Sequence, residues 1–201
     1  MKILLATGNR KKAAEITAIF AEGEGPKVEF LSLADFPDLP EAVEDGNTFL
    51  ANARKKAHPA AKATGLATLG EDSGLEVDAL GGAPGIYSAR YAGENAADGD
   101  NSRKLLEEMK EVPAGKRGGR YRCVAVLAFP DGGEITAEGS CEGEIALEPR
   151  GTGGFGYDPV FLLPDGRMMA ELSPREKDAL SHRGRALRKM RGRLKSIDLK
   201  S

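Results

Sequence analysis

In the N-terminal half of the chain, short continuous apolar runs alternate with segments whose apolar residues recur at helical spacing. The runs KILLA (residues 2–6), KVEFLSL (27–33) and LATL (66–69) are typical of strands. The helical spacing predicts one helix over residues 11–21 and a second over residues 48–63. The inward positions are Ala14, Ile16, Ile19 and Phe20 in the first helix, and Phe49, Leu50, Ala53, Ala57 and Ala60 in the second.

Two features in this half predict interruptions of the regular elements. Pro59 lies inside the second predicted helix. Because an interior proline costs about 3 kcal/mol or kinks the helix, we expect a break near His58. The run LATL is predicted to bring Glu71 and Asp72 to the edge of the sheet, where the sequence DSG turns the chain.

The C-terminal half has the pattern of hairpins. Residues 78–93 form a glycine-rich loop in this prediction, and a helix follows over about residues 99–110. The apolar runs 120–129 and 134–147 flank the turn sequence DGG and predict a long hairpin. Because helices and strands alternate first and hairpins follow, the chain is predicted to be an α/β protein with a mixed sheet.

The last quarter of the chain adds a short hairpin and two helices. PVFLLP and RMMAEL predict a hairpin about Asp165-Gly166. Ser173 and Glu176 form a capping box that begins a helix. A basic helix over about residues 184–195 closes the chain. The seven cations of residues 183–195 favour either a solvated helix face or nucleic-acid binding, and the acidic total charge favours the former.

Length and composition narrow the classes of protein. The chain has 201 residues, of which 40% are hydrophobic and 30% charged, with a formal net charge of -2. Residues 1–201 fit one globular domain or one compact two-lobed unit. No apolar run approaches the roughly 18 residues of a membrane helix, and the N-terminus lacks the apolar region of a signal peptide. We therefore expect a cytoplasmic protein without a membrane or nucleic-acid partner.

Cys123 and Cys141 lie symmetrically about the turn at Gly132, so a symmetric hairpin would let them face each other. In a cytoplasmic protein, two reduced thiols in the core are the favoured interpretation. The chain has no Cys-x-x-Cys or His-x-x-x-His spacing, which argues against a zinc site.

Two stretches are candidate phosphate or nucleotide sites. In LLATGNRKK, a strand leads directly into a helix, so backbone N–H groups together with Lys11 and Lys12 would attract an anion. The alternative is an ordinary turn with solvated lysines. The stretch GTGGFGYD (residues 151–158) lacks the flanking strand and helix of a dinucleotide fold, but its glycines and aromatic residues suit a flat ligand. The alternative is a tight connection between strands.

The acidic stretch GEDSGLEVD is a candidate metal site. Glu71 and Asp72 follow a strand, and carboxylates there suit Mg²⁺, which takes oxygen ligands. Because consecutive strand residues point to opposite faces, the two can share one metal only if the chain turns. Glu44 is the best third ligand, whereas Glu76 and Asp78 are interpreted as solvated. In KDALSHRG, Lys177, His182 and Arg183 suit a phosphate or a purine edge, although a lone histidine is more often structural.

Taken together, LATGNRKK, EDSGLEVDALGGAPGIYSARYAG, GTGGFGYDPVF and SHRGRAL resemble the inosine/xanthosine triphosphate pyrophosphatase family over nearly the whole chain. The resemblance implies hydrolysis of non-canonical purine nucleoside triphosphates (ITP, dITP, XTP) to the monophosphate and pyrophosphate. It also implies a homodimer of elongated two-lobed α/β subunits with the active site in a cleft between the lobes.

The resemblance further implies a set of site residues. The metal ligands for Mg²⁺ would be Glu44, Glu71 and Asp72, and Asp72 would also be the catalytic proton acceptor. The substrate contacts would be Thr7, Gly8, Asn9, Arg10, Lys11, Lys12, Lys56, Ser73, Phe155, Gly156, Tyr157, Asp158, Lys177, His182 and Arg183. Two rival functions stay open: a related pyrophosphatase acting on pyrimidine or modified nucleotides, and a nucleic-acid-binding module that uses the basic C-terminal helix.

Overall fold

The computed structural model describes residues 1–22 and 27–198. Within these residues there are six strands and five α-helices. The strands are β1 (Lys2–Leu5), β2 (Glu29–Ser32), β3 (Ala67–Val77), β4 (Gly118–Ala128), β5 (Glu134–Ile145) and β6 (Phe161–Leu162). The helices are α1 (Arg10–Ala21), α2 (Phe49–Thr64), α3 (Asp98–Glu108), α4 (Pro174–Leu180) and α5 (His182–Asp198). None of the described helices is both long and apolar enough to span a membrane.

The strands form one mixed sheet in the order β2-β1-β3-β4-β5-β6. β1 pairs in parallel with both β2 and β3, and β5 pairs antiparallel with β6. A tight turn joins β4 to β5, in which the Phe129 N–H donates to the Gly133 carbonyl. The predicted α/β class with a mixed sheet is therefore confirmed, as is the long hairpin about DGG.

The described residues divide into two compact units, each with its own apolar core. The first unit lies within Met1–Asp72, Cys123–Gly139 and His182–Ser201, and the second within Ser73–Arg122 and Ser140–Ser181. In the first unit, α1 packs against α5 around residues such as Ile19 and Met190. In the second unit, residues of α3 such as Leu105 pack with Phe161. We call them the first unit and the second unit below.

α2 is continuous, so the prediction of a break near His58 was wrong. The helix runs through Pro59 to Thr64 and ends at Gly65, whose positive φ suits a C-cap. Pro59 is exposed, so the carbonyl that loses its helical partner can bond to water. On the opposite side, Ala53, Ala57 and Ala61 are fully buried against Val126 and Ala128. This packing offsets the cost of the proline.

β3 does not end near Asp72, so the predicted turn at DSG was also wrong. The strand continues through Glu71, Asp72 and Ser73 to Val77. Gly70 lies so close to α2 that a Cβ atom there would come within 2.5 Å of the Ala53 carbonyl oxygen. This close approach explains the glycine, which does not mark a turn.

Several other predictions need correction in detail. In α1, Ala14 is exposed and Ala13 packs against the core instead. The glycine-rich loop contains a 3₁₀ helix at Gly85–Arg90, and half of the predicted strand RMMAEL is a 3₁₀ turn at Met169–Glu171. Cys123 and Cys141 are free and buried, as predicted.

Candidate functional site

The turn between β1 and α1 presents the start of a helix. Asn9 caps α1: its side-chain oxygen accepts the N–H groups of Lys11 (3.0 Å) and Lys12 (3.1 Å). The Thr7 hydroxyl oxygen accepts the Asn9 N–H at 3.2 Å, which closes the turn on itself. Around this turn Gly8, Asn9, Arg10 and Lys11 are exposed. The predicted phosphate loop is therefore an ordered helix N-terminus with cations at its surface.

Glu71 is buried among cations. Its carboxylate oxygens accept from the Lys12 ammonium at 2.8 Å and from two guanidinium nitrogens of Arg183 at 3.3 Å. The Cys123 thiol donates to the same carboxylate at 3.1 Å. Burial alone would raise the pKa of Glu71, but Arg183 and Lys12 more than reverse this effect and hold the pKa well below its usual value. Glu71 is thus an anion at neutral pH.

Arg183 is only 1% exposed and is held between two acids. One guanidinium nitrogen donates to Glu15 on α1, and the others bind Glu71. Burial would lower the pKa of Arg183, but the charges of Glu71 and Glu15 raise it. These guanidinium contacts are with Glu15 and Glu71 of the same chain. The predicted contact of Arg183 with the base therefore stays a prediction.

Asp72 lies in a different environment from Glu71. Its Oδ2 accepts from the Asn52 amide at 3.0 Å, and its Oδ1 accepts from the Lys56 ammonium at 3.3 Å. Burial raises the pKa of Asp72, and this effect outweighs the opposing influence of Lys56 and Asn52. The carboxylate is therefore a better proton acceptor than an exposed aspartate.

Lys56 links the acids of this cluster. Its ammonium contacts Glu44 at 2.7 Å, Asp72 at 3.3 Å and the Glu71 carbonyl oxygen at 3.0 Å. Burial would lower the pKa of Lys56, but Asp72 and Glu44 raise it above its usual value. Lys56 thus carries its charge at neutral pH. The uninterrupted α2 places Lys56 one helical turn after Asn52.

The structure brings the three predicted metal ligands only partly together. Among residues 1–22 and 27–198, no group of three acidic, histidine or cysteine side chains is arranged to hold a metal. Glu44 and Asp72 both contact the Lys56 ammonium, so their carboxylates share one cationic partner. The Glu71 side chain instead binds Lys12 and Arg183. The carboxylate oxygens of Glu44 and Asp72 fit a hard divalent cation in donor type.

Sequence reasoning missed three residues of this cluster: Asn52, Cys123 and Glu15. Asn52 is 1% exposed, and its side-chain oxygen accepts the Gly46 N–H at 2.8 Å while its amide donates to Asp72. A buried asparagine beside the apolar positions of α2, four residues before Lys56, was a usable signal. Cys123 and Glu15 gave none, because their partners come from distant parts of the chain.

In the second unit, Asp158 organises the predicted base-binding residues. Its Oδ2 accepts the Phe155 N–H at 2.8 Å and the Lys177 ammonium at 2.7 Å. The ammonium lies 4.2 Å from the centre of the Phe155 ring. Asp158 and Lys177 are both buried. The structure thus brings Phe155, Asp158 and Lys177 together, and their contact with the base stays a prediction.

Gly151, Gly153 and Gly154 serve close packing around residues 151–158. A Cβ atom at Gly154 would come within 2.0 Å of the Asp158 carboxylate, and one at Gly153 within 2.7 Å of the Ala170 carbonyl oxygen. The Gly156 N–H donates to Asp98, and the Tyr157 hydroxyl donates to the Ser88 carbonyl, each at 2.8 Å. The loop is held from several sides, which keeps Phe155 in place.

The remaining predicted residues are divided between the units. Ser73 belongs to the second unit, and His182, which is buried, belongs to the first. Glu76 pairs with Arg122 at 3.3 Å and Asp78 with Arg120 at 3.0 Å, so neither acid joins the Asp72 cluster.

The basic side chains of α5 are partly used within the protein. Lys189 donates to the Glu138 carbonyl at 2.8 Å, and Arg193 donates to the Thr136 carbonyl. Arg188 lies 3.4 Å from Glu22. These contacts agree with a structural role for part of the basic helix.

Comparison with known proteins gives a consistent result. The model of the Ham1 family matches residues 3–193. The dITP/XTP pyrophosphatase of Geobacter sulfurreducens is 52% identical over 187 residues, which cover 92% of each chain. That of Vibrio cholerae is 49% identical over 192 residues, 94% of each chain.

Solved structures agree with these sequence matches. The structure of a HAM1 protein from Coxiella burnetii matches with a TM-score of 0.86 at 40% identity and covers 100% of both chains. The nucleoside-triphosphatase / dITP/XTP pyrophosphatase of Mycobacterium abscessus matches with a TM-score of 0.77 at 44% identity, covering 94% of this chain and 97% of that one.

Proposed function

The chain belongs to the Ham1 family, and from this premise we propose that it hydrolyses dITP, XTP and ITP to the monophosphate and pyrophosphate. Removing these nucleotides would prevent their incorporation into DNA and RNA. Relatives named dITP/XTP pyrophosphatase, about half identical over more than nine tenths of the chain, support the substrate class. The observation that carries the proposal is the cluster of Asp72, Glu71 and Glu44 with two lysines, Lys12 and Lys56.

Charge explains why this cluster suits a triphosphate. A triphosphate carries several negative charges. Lys12 places an ammonium group in the first turn of α1, and Lys56 places a second beside Glu44 and Asp72. The acids hold these lysines in position before the substrate arrives. Phosphate oxygens would then share the ammonium groups with Glu71 and Glu44, which stabilises the charge of the leaving pyrophosphate.

We assign Asp72 the role of proton acceptor. Its raised pKa strengthens it as a base, and Asn52 orients its carboxylate through the bond to Oδ2. It would accept a proton from the water that attacks the α-phosphorus. The bond from the α-phosphorus to the bridging oxygen breaks, and pyrophosphate leaves.

We further propose that Mg²⁺ is the cofactor and that Glu44 and Asp72 hold it. The two carboxylates converge on one positive charge, the Lys56 ammonium, so they lie on the same side of the cluster and could share a metal ion. When bound, Mg²⁺ would neutralise charge on the phosphate oxygens. Glu71 contributes by positioning Lys12.

We propose that the purine base binds at Phe155 and Lys177. The ring offers a stacking face, and the ammonium beside it is a hydrogen-bond donor. Hypoxanthine and xanthine carry a 6-oxo acceptor where adenine carries a 6-amino donor. Adenine would leave a buried donor unpaired, a mismatch that can cost 10⁴-fold or more.

Isotope labelling tests the reaction. Hydrolysis of dITP in ¹⁸O-water is expected to label the monophosphate, because water attacks the α-phosphorus. Label in pyrophosphate, or orthophosphate as the first product, would contradict the proposal. The same assay with dITP, XTP, ITP, dATP, dUTP and dTTP, each with and without Mg²⁺, separates the purine substrates from the pyrimidine alternative.

We also propose that the protein is a homodimer whose interface uses part of residues 81–93. Tyr87 in this segment is 55% exposed, and the Arg90 guanidinium lies 5.2 Å from the centre of its ring. Exposed tyrosine and arginine are typical of interface centres. Light scattering should give twice the 21.3 kDa of one chain, and Tyr87→Asp should shift it to the monomer. A wild-type monomer would rule out the dimer, and a dimeric Tyr87→Asp would exclude this interface.

A further inference from the structure

Tyr121 on β4 is a buried tyrosine outside every predicted site. It is 7% exposed, and its hydroxyl donates to Asp158 Oδ1 at 3.2 Å. Its ring packs against Phe161, with the ring centres 4.6 Å apart. The ring is therefore fixed by packing, which directs the hydroxyl at the carboxylate.

The Asp158 carboxylate has its other oxygen occupied. Oδ2 accepts both the Phe155 N–H and the Lys177 ammonium, as described above. A carboxylate rotates as one unit, so the bond from Tyr121 to Oδ1 also fixes the direction of Oδ2. Loss of the Tyr121 hydroxyl would allow the carboxylate to turn, and the Phe155 backbone and the Lys177 ammonium would lose their common anchor.

Tyr121 is a dependable donor to this carboxylate. Burial raises the pKa of its hydroxyl well above the usual value, and the charge of Asp158 raises it further. The hydroxyl therefore keeps its proton at neutral pH and remains a donor to Asp158.

We propose that Tyr121 is a positioning residue that holds Phe155 and Lys177 in place through Asp158 and thereby sets the affinity for the purine base. The inference rests on the proposed function for the role of Phe155 and Lys177. Tyr121 would act through Asp158, whose carboxylate joins it to the Phe155 N–H and the Lys177 ammonium.

The test compares Tyr121→Phe with wild type in two measurements. Amide hydrogen exchange at Phe155 is expected to become about tenfold faster. The Phe155 N–H donates to the Asp158 carboxylate, and in the variant this carboxylate loses the hydrogen bond from Tyr121 that holds it in place. KM for dITP is expected to rise about tenfold while kcat changes less than twofold, because the phosphate cluster is untouched. A loss confined to kcat, or an unchanged KM, would overturn the proposal.

Tyr91→Phe is the matched control. The Tyr91 hydroxyl also donates to a carboxylate, that of Glu108, whereas the carboxylate that binds the Phe155 N–H and the Lys177 ammonium is that of Asp158. This variant is expected to leave KM and the exchange at Phe155 unchanged. If Tyr121→Phe does not fold, Asp158→Asn takes its place and is expected to accelerate the same exchange and raise KM.

The exchange measurement needs no substrate, so it separates two failures. A wild type that hydrolyses none of the nucleotides would overturn the proposed function and the binding role of Tyr121 with it. An exchange rate at Phe155 that is equal in Tyr121→Phe and wild type would overturn the anchoring by Tyr121 even if dITP is hydrolysed.

Discussion

Replacing Asp72 with asparagine is expected to lower kcat for dITP by 10²-fold to 10⁴-fold or more, the usual contribution of a positioned general base. Asparagine keeps the shape of the side chain but accepts no proton and is a weaker metal ligand. The fold is expected to stay intact, because burial already raises the pKa of Asp72 and so disfavours its charge. Steady-state kinetics and circular dichroism together measure both effects.

Glu76→Gln is the control for this variant. Glu76 also lies on β3, but it pairs with Arg122 and not with the lysines of the cluster. Its activity is expected to stay close to wild type. Equal losses in the two variants would show that the division of roles among the acids of β3 is wrong.

The second large effect is on stability. Arg183→Met is expected to lower the free energy of unfolding by about 3–5 kcal/mol, because it leaves Glu71 and Glu15 without their buried partner. Urea denaturation measures this loss as a lower urea concentration at the midpoint of unfolding. The loss is expected to shrink as the pH falls, since protonation of Glu71 removes the charge that the variant deprives of its Arg183 partner.

Arg188→Met, on the same helix, is the matched control. Arg188 pairs with Glu22 at 3.4 Å, and both side chains are partly exposed. Pairs of this kind contribute about 0–1 kcal/mol. If the two methionine variants are equally stable, the Arg183 pairs contribute no more than a surface ion pair.

The double variant Arg183→Met with Glu71→Gln is expected to recover part of the stability, because it removes both charges.

How far the sequence predicted the site depends on the distance between the partners. Lys12 and the helix start at Asn9 were found because a strand, a small turn and a helix follow each other directly. The contact of Lys12 with Glu71 was not found, because the two residues are far apart in the chain. Glu15 was missed for the same reason: its partner Arg183 comes from α5, near the other end of the sequence.

The sequence by itself determined the features that arise from neighbouring residues. The apolar spacing of α1, the capping box of Ser173 with Glu176 and the turn after Phe129 each depend on contacts within a few positions. Such contacts are the same in any fold that contains them, so the α/β class could be predicted from them.

Only the tertiary structure decided how far β3 and α2 extend. Acids and glycines inside a strand predict a turn, because a buried charge is costly without a partner. Here Lys12 and Arg183 supply that partner to Glu71, so the strand continues to Val77. In the same way, the packing of its buried alanines carries α2 past Pro59. Burial and charge pairing between distant segments outweigh local propensity at both places, and neither can be read from a short stretch of sequence.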